Sequence, residues 1–348
     1  MSGVSLSNPE PLAVILGCAG PELSALERDF FRDADPLGFI LFQRNCQTPD
    51  QVRVLVAAMR DAVGRGDAPV LIDQEGGRVQ RLRPPQWSEF PPGAAYGRLY
   101  DRDPQRGVAA AHLGARLIAA DLDALGISVD CLPLADMPVP GADSIIGDRA
   151  YGGSVEKVAA IAAAIAQGLT EGGVLPVLKH MPGHGRAGVD SHFGLPVVAA
   201  DRATLEETDF AAFRRLAALP LGMTAHVVFS AIDPVAPATI SATMVREVIR
   251  GSIGFDGLLM TDDVSMEALS GTLAERAGAA IAAGCDLVLH CSGQLDEMQK
   301  IAAAVPTLTG DARRRAAAAL ASARPASPID VDAARAEFSA MMAGAAVA

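Results

Sequence analysis

Eight short apolar runs punctuate the chain: LAVILG (12–17), GFILF (38–42), PVLID (69–73), ISVDCLP (127–133), VLPVLKH (174–180), LGMTAH (221–226), GLLMTD (257–262) and CDLVLH (285–290). Each is bounded by Gly, Pro or polar residues. Such runs suit strands covered on both faces, as in a parallel sheet. Longer stretches of helical character lie between them, at 48–63, 104–125, 154–173, 201–218, 241–250, 264–283 and 294–305. Ser, Thr or Asp repeatedly precedes the apolar periodicity, as helix caps should. Eight strand and helix alternations within residues 1–310 predict an α/β chain folded as a single (β/α)8 TIM-type barrel. Its active site is expected at the C-terminal ends of the strands. A doubly wound sheet is the rival, because alternation alone does not reveal closure. The connections 74–103 and 181–200 exceed what tight loops need, and long connections are where function is carried. Residues 311–348 are expected to form an Ala/Arg-rich helical extension and tail, with the Arg run on a solvated face.

Composition narrows the function classes. The chain has 348 residues, 41 acidic against 29 basic, for a net charge of −12. That sign argues against a nucleic-acid surface. With 11 Phe, 3 Tyr and 1 Trp the chain is also poor in stacking platforms for single strands. Five cysteines without a CxxC pair read as buried thiols of a cytoplasmic protein. The segment PLAVILGCAG (11–20) imitates a lipoprotein signal. However, no Lys or Arg precedes it, and the run is too short to cross a bilayer. A monomer without membrane or nucleic-acid partners is expected.

The chemistry gathers at the strand ends: Asp73, Asp130, Lys179, His180, His226, Asp262, Asp263 and His290. One such charge can be a helix cap, but several converging on one mouth are harder to explain that way. The densest segment is KHMPGHGRAGVDSH (179–192), with three of the six histidines. Gly183, Gly185 and Gly188 spell GxGxxG, yet Gly194 and Pro196 follow too closely for the helix that a dinucleotide fingerprint requires. His180, His184 and His192 could bind a metal from a loop, although Pro182 and the glycines deny them a shared helical face. Acid/base catalysis is the third reading. Asp190 stands two residues before His192 and can orient the imidazole, which then gives and takes a proton. In the strand LLMTDD, alternation turns only one of Asp262 and Asp263 toward the mouth. A carboxylate there suits nucleophilic attack in glycoside hydrolysis, or a divalent metal.

The segments IDQEGGRVQRL (72–82), GDRAYG (147–152), KHMPGHGRAGVDSH (179–192), MTAHVVF (223–229) and LLMTDDVSM (258–266) resemble, in order and spacing, the bacterial β-N-acetylhexosaminidases of glycoside hydrolase family three. The likeness runs from about residue 12 to 300 and is strongest to the single-domain cytoplasmic type that serves peptidoglycan recycling. It implies Asp262 as nucleophile, His192 as general acid/base and Asp190 as its partner. Asp73, Arg81, Arg149, Lys179 and His180 match positions that hold the non-reducing-end sugar. The implied reaction is retaining hydrolysis of terminal β-linked N-acetylglucosamine through a covalent glycosyl-enzyme, with anhydromuropeptides as substrates and neither metal nor other cofactor. Met181 stands where Phe is common. An imidazole does not repel an anionic acceptor as a second carboxylate would, so a glycoside phosphorylase on the same scaffold is an alternative. A metal-dependent barrel hydrolase is another.

Overall fold

A computed structural model describes residues 10–192 and 194–343. Eight parallel strands form the barrel: β1 (Leu12–Leu16), β2 (Pro36–Leu41), β3 (Val70–Ile72), β4 (Val129–Asp130), β5 (Leu175–Met181), β6 (Leu221–Thr224), β7 (Leu258–Asp263) and β8 (Leu287–His290). Each pairs with its sequence neighbours, and β1 closes on β8 with Val14 opposite Val288, which excludes the open doubly wound sheet.

The alternation of strand side chains explains why the runs read as continuously apolar. Ala13, Ile15, Leu71, Val177, Met260 and Leu289 fill the barrel interior, whereas Val14, Leu16, Val70, Leu178, Leu259 and Val288 pack outward against the helices. Strand β4 stops two residues before the Leu132–Pro133 bond. Pro133 has no N–H with which to continue a ladder.

The helical layer comprises α1 (Ala25–Ala34), α2 (Pro49–Ala62), α3 (Gly93–Arg102), α4 (Pro104–Asp123), α5 (Val155–Glu171), α6 (Arg202–Glu207), α7 (Asp209–Arg214), α8 (Leu273–Ala283) and α9 (Leu295–Ala302). A π-helical segment, Met244–Ser252, stands where 241–250 was expected as an ordinary helix. The stretch 201–218 divides at Thr208, whose backbone (φ −119°, ψ −89°) leaves helical space between α6 and α7. The stretch 264–283 becomes helical only at Leu273. There Thr272 and Glu275 form a capping box, and residues 264–272 run as a loop over the barrel mouth. In helix α1 only Glu27 and Phe31 are buried.

Two further helices follow, α10 (Gly310–Ala321) and α11 (Val331–Met342). Ala316 and Ala319 of α10 join the interior cluster with Leu308 and so plug the end of the barrel opposite the active-site mouth. The Arg run is not uniformly solvated. Arg313 and Arg314 are exposed, whereas Arg315 turns in to pair with Asp256 and Asp286.

Candidate active site

At the C-terminal ends of the strands lies a cavity of about 270 Å³. Ligand pockets typically measure roughly 300–1,000 Å³, so this one is at the small end of the range. Ile40, Phe42, Met223, Leu289 and Cys291 give it an apolar part, and polar groups from β5, β7 and the connections after β3, β4 and β5 supply much of the rest. Of the eight site residues expected from sequence, Asp73, Arg81, Arg149, Lys179, His180, His192 and Asp262 line it. Asp190 stands directly behind His192.

One wall is a chain of ion pairs. Asp73, just past β3, accepts from Lys179 Nζ (3.0 Å) and from Arg81 (2.9 Å). Lys179 also reaches Glu75 (2.7 Å), and Glu75 takes a two-pronged contact from Arg149 (2.8 and 2.9 Å). Arg81 lies over the Phe42 ring, 4.9 Å from its centroid. Burial alone would raise both carboxyls. The cations outweigh it, through Lys179 and Arg81 at Asp73 and through Arg149 and Lys179 at Glu75, so Asp73 falls well below the usual carboxylate range and Glu75 to about 2. Conversely, burial would lower Lys179, and Asp73 and Glu75 reverse that, keeping it cationic. Three cations face two anions, leaving donors that can grip hydroxyl and acetamide oxygens.

Glu75 was missed in the sequence reading, although Asp73 and Glu75 share the i, i+2 spacing that turns both to one side of an extended segment. Asp136 was missed as well. It is wholly buried and accepts from His180 Nδ1 (2.7 Å), the His180 N–H and the His184 N–H (2.6 Å). Burial pushes its pKa up, but the two histidines prevail and lower it. An ionised carboxylate only accepts, so the His180 proton resides on Nδ1.

The segment from Gly183 to His192 forms the flap. Gly183 has φ +138°, and a Cβ on Gly185 would sit 2.1 Å from the Met137 carbonyl oxygen, so its glycines serve a tight turn and a close backbone approach. No helix begins among them, which disposes of the dinucleotide fingerprint. The three histidines do not face one another as ligands. His180 is committed to Asp136, His184 to Ser191 and His192 to Asp190, and among the described residues no group of three or more His, Cys, Asp or Glu could hold a metal ion.

His192 is well exposed, and Asp190 Oδ1 meets both its Nδ1 and its backbone N–H at 2.8 Å. Slight burial raises the Asp190 pKa, and the hydrogen bonds from His192 outweigh that and lower it. Asp190 therefore fixes the Nδ1–H tautomer, which makes Nε2 the ring atom able to take up or release a proton. Asp262 lines the same cavity, and its Oδ1 accepts only the Asp263 N–H (2.8 Å) among the hydrogen bonds of the described residues. Asp263 lines the cavity too, although strand alternation predicts only one of the two there, and it is occupied by the Ser265 N–H and hydroxyl and the Cys291 N–H. The His226 Nε2–H holds the Asp263 carbonyl (2.9 Å), steadying the strand end that carries Asp262. Asp130, His226 and His290, also strand-end groups, are fully buried outside the cavity lining. Burial pushes the Asp130 pKa well up.

A carboxylate-paired imidazole and a second carboxylate line the same cavity, and similarity to known proteins gives the family. The model of the glycosyl hydrolase family 3 N-terminal domain matches residues 24–319. A β-hexosaminidase of Alkalilimnicola ehrlichii is 41% identical over 283 residues, covering 80% of each chain. One of Methylococcus capsulatus is 40% identical over 280 residues, 78% of this chain and 80% of its own. The crystal structure of NagZ from Neisseria gonorrhoeae in complex with N-trifluoroacetyl-D-glucosamine superposes with a TM-score of 0.83 at 30% identity, over 97% of both chains. The chain belongs to glycosyl hydrolase family 3 and is a glycoside hydrolase on a (β/α)8 barrel.

Proposed function

We propose that the protein is a retaining exo-β-N-acetylglucosaminidase that removes terminal β-linked N-acetylglucosamine through a covalent intermediate. The observation that carries this reading is that Asp262 and the His192 of the Asp190–His192 pair line one cavity together with Asp73, Arg81, Arg149 and Lys179, whose charges are tied to one another and to Glu75. In the first step the Asp262 carboxylate attacks the anomeric carbon while protonated His192 gives its Nε2 proton to the departing oxygen. The bond to the aglycone breaks and an ester to Asp262 forms. In the second step neutral His192 takes a proton from water, whose oxygen attacks the same carbon and releases Asp262. Two displacements leave the sugar with its original anomeric configuration.

Asp73, Arg81, Arg149, Lys179 and His180 bind the sugar's hydroxyls and acetamide, and the small cavity favours a single terminal ring. The β-hexosaminidase names of the relatives support an N-acetylated substrate. The sequence resemblance supports anhydromuropeptides of cell-wall recycling as the natural substrate, turned over by a cytoplasmic monomer that uses no metal. No helix among the described residues is long and apolar enough to cross a membrane. Proton NMR of the first-formed product tests the mechanism. The expected result is the β-anomer appearing before mutarotation; initial α-anomer means a single displacement and ends the covalent scheme.

A further inference from the structure

The residue between the two members of the catalytic pair has no part in the chemistry above, yet it is the better buried. Ser191 is only 3% exposed, whereas its neighbour His192 is open to solvent. The Ser191 hydroxyl meets His184 Nε2 at 3.1 Å, and the Ser191 carbonyl accepts the Ala268 N–H at 3.2 Å. These contacts lead to two different parts of the site.

His184 is the fixed end. Its N–H is bound to buried Asp136 at 2.6 Å, Gly185 is pressed against Met137, and the Ala187 carbonyl accepts the Asp143 N–H at 2.8 Å. Between Ala187 and Ser191 the chain passes through exposed Gly188 and Val189. Ala268, on the other side, belongs to the loop that follows Asp262 and Asp263. Arg276 pins that loop from α8 by donating to the Val264 and Met266 carbonyls (3.0 and 3.1 Å).

The His184 ring is buried, and its Nδ1 has no hydrogen-bond partner among the described residues. Burial, reinforced by the neighbouring His180, brings its pKa down to about 4, so at neutral pH it is an uncharged ring with one hydrogen bond to offer. A half-satisfied polar ring costs free energy that an apolar side chain would not. The contact to Ser191 is what the imidazole contributes in return.

We propose that Ser191 is a positioning residue: its hydroxyl, held by His184, and its carbonyl, held by Ala268, keep the Asp190–His192 pair in register with the loop behind Asp262. The inference rests on the proposed role of His192 as acid/base. Losing the hydroxyl contact lets the flap leave the productive arrangement and so weakens proton donation rather than sugar binding.

The test compares Ser191→Ala, Ser191→Thr, His184→Gln and His192→Ala on aryl β-N-acetylglucosaminides with a good and a poor leaving group. Inhibition by free N-acetylglucosamine reports sugar binding. Ser191→Ala is expected to lower kcat/KM about tenfold on the poor leaving group and about twofold or less on the good one, with inhibition by N-acetylglucosamine unchanged. Ser191→Thr, which keeps the hydroxyl, restores most of the loss, and His184→Gln, which keeps a polar atom at the Nε2 position, stays close to wild type on both substrates. If His184→Gln does not fold, the two Ser191 variants decide. Equal losses on both substrates, weakened N-acetylglucosamine inhibition, or no rescue by Thr would each overturn the proposal while leaving His192 as the acid. If His192→Ala itself shows no leaving-group dependence, the acid/base reading and this inference fall together.

Discussion

Replacing Glu75 with Gln isolates what the buried ion-pair wall contributes. The amide keeps the shape of the carboxyl but removes its charge, so Lys179 retains only Asp73 and Arg149 loses its two-pronged partner. A carboxyl displaced from 4.5 to about 2 in a side chain 4% exposed stabilises the fold by about 3 kcal/mol at neutral pH, at ~1.4 kcal/mol per tenfold change in proton affinity. Removing one partner of a buried pair typically costs about 3–5 kcal/mol, so the two routes agree. Because the folded-state pKa is depressed, the contribution is complete above about pH 4.5 and disappears as the pH falls toward 2. Urea unfolding of wild type and Glu75→Gln should therefore differ by about 3 kcal/mol at pH 7 and by about 2 kcal/mol at pH 3.5. A difference below about 1 kcal/mol at pH 7, or one that does not shrink in acid, would refute the claim that Glu75 is held ionised by Arg149 and Lys179.

Two further outcomes are expected. His192→Ala should lose about 10²–10⁴-fold in kcat/KM on substrates with poor leaving groups and far less on activated aryl glycosides, and equal losses on both would count against His192 as the proton donor. Prolonged dialysis against a chelator should leave the hydrolysis rate unchanged; a loss restored by a divalent ion would favour the metal-dependent alternative.

The barrel was legible because a strand packed on both faces writes an unbroken apolar run, and eight such runs have few other solutions. Elements whose burial is slight or whose geometry is irregular wrote less. Helix α1 buries only two of its ten residues, and the π-helical turn at Met244–Ser252 keeps an apolar spacing close to that of an ordinary helix. Within the site, residues carried by compact motifs were readable, among them Lys179, His180, Asp190, His192 and Asp262. Glu75 and Asp136 were not, because their partners Arg149 and His180 lie 74 and 44 positions away, and one sequence carries no record of that proximity. Asp130, His226 and His290 show the opposite failure. A strand-end position gives depth along the barrel but not direction, and these three sit outside the cavity lining.

The identity of the nucleophile is the central claim, and a fluorinated N-acetylglucosamine analogue that forms the glycosyl-enzyme but releases it slowly tests it directly. After proteolysis and mass spectrometry, the expected result is a single sugar adduct on Asp262, absent from Asp262→Asn. An adduct on Asp263 or Asp73, or turnover of the analogue with no adduct at all, would contradict the account.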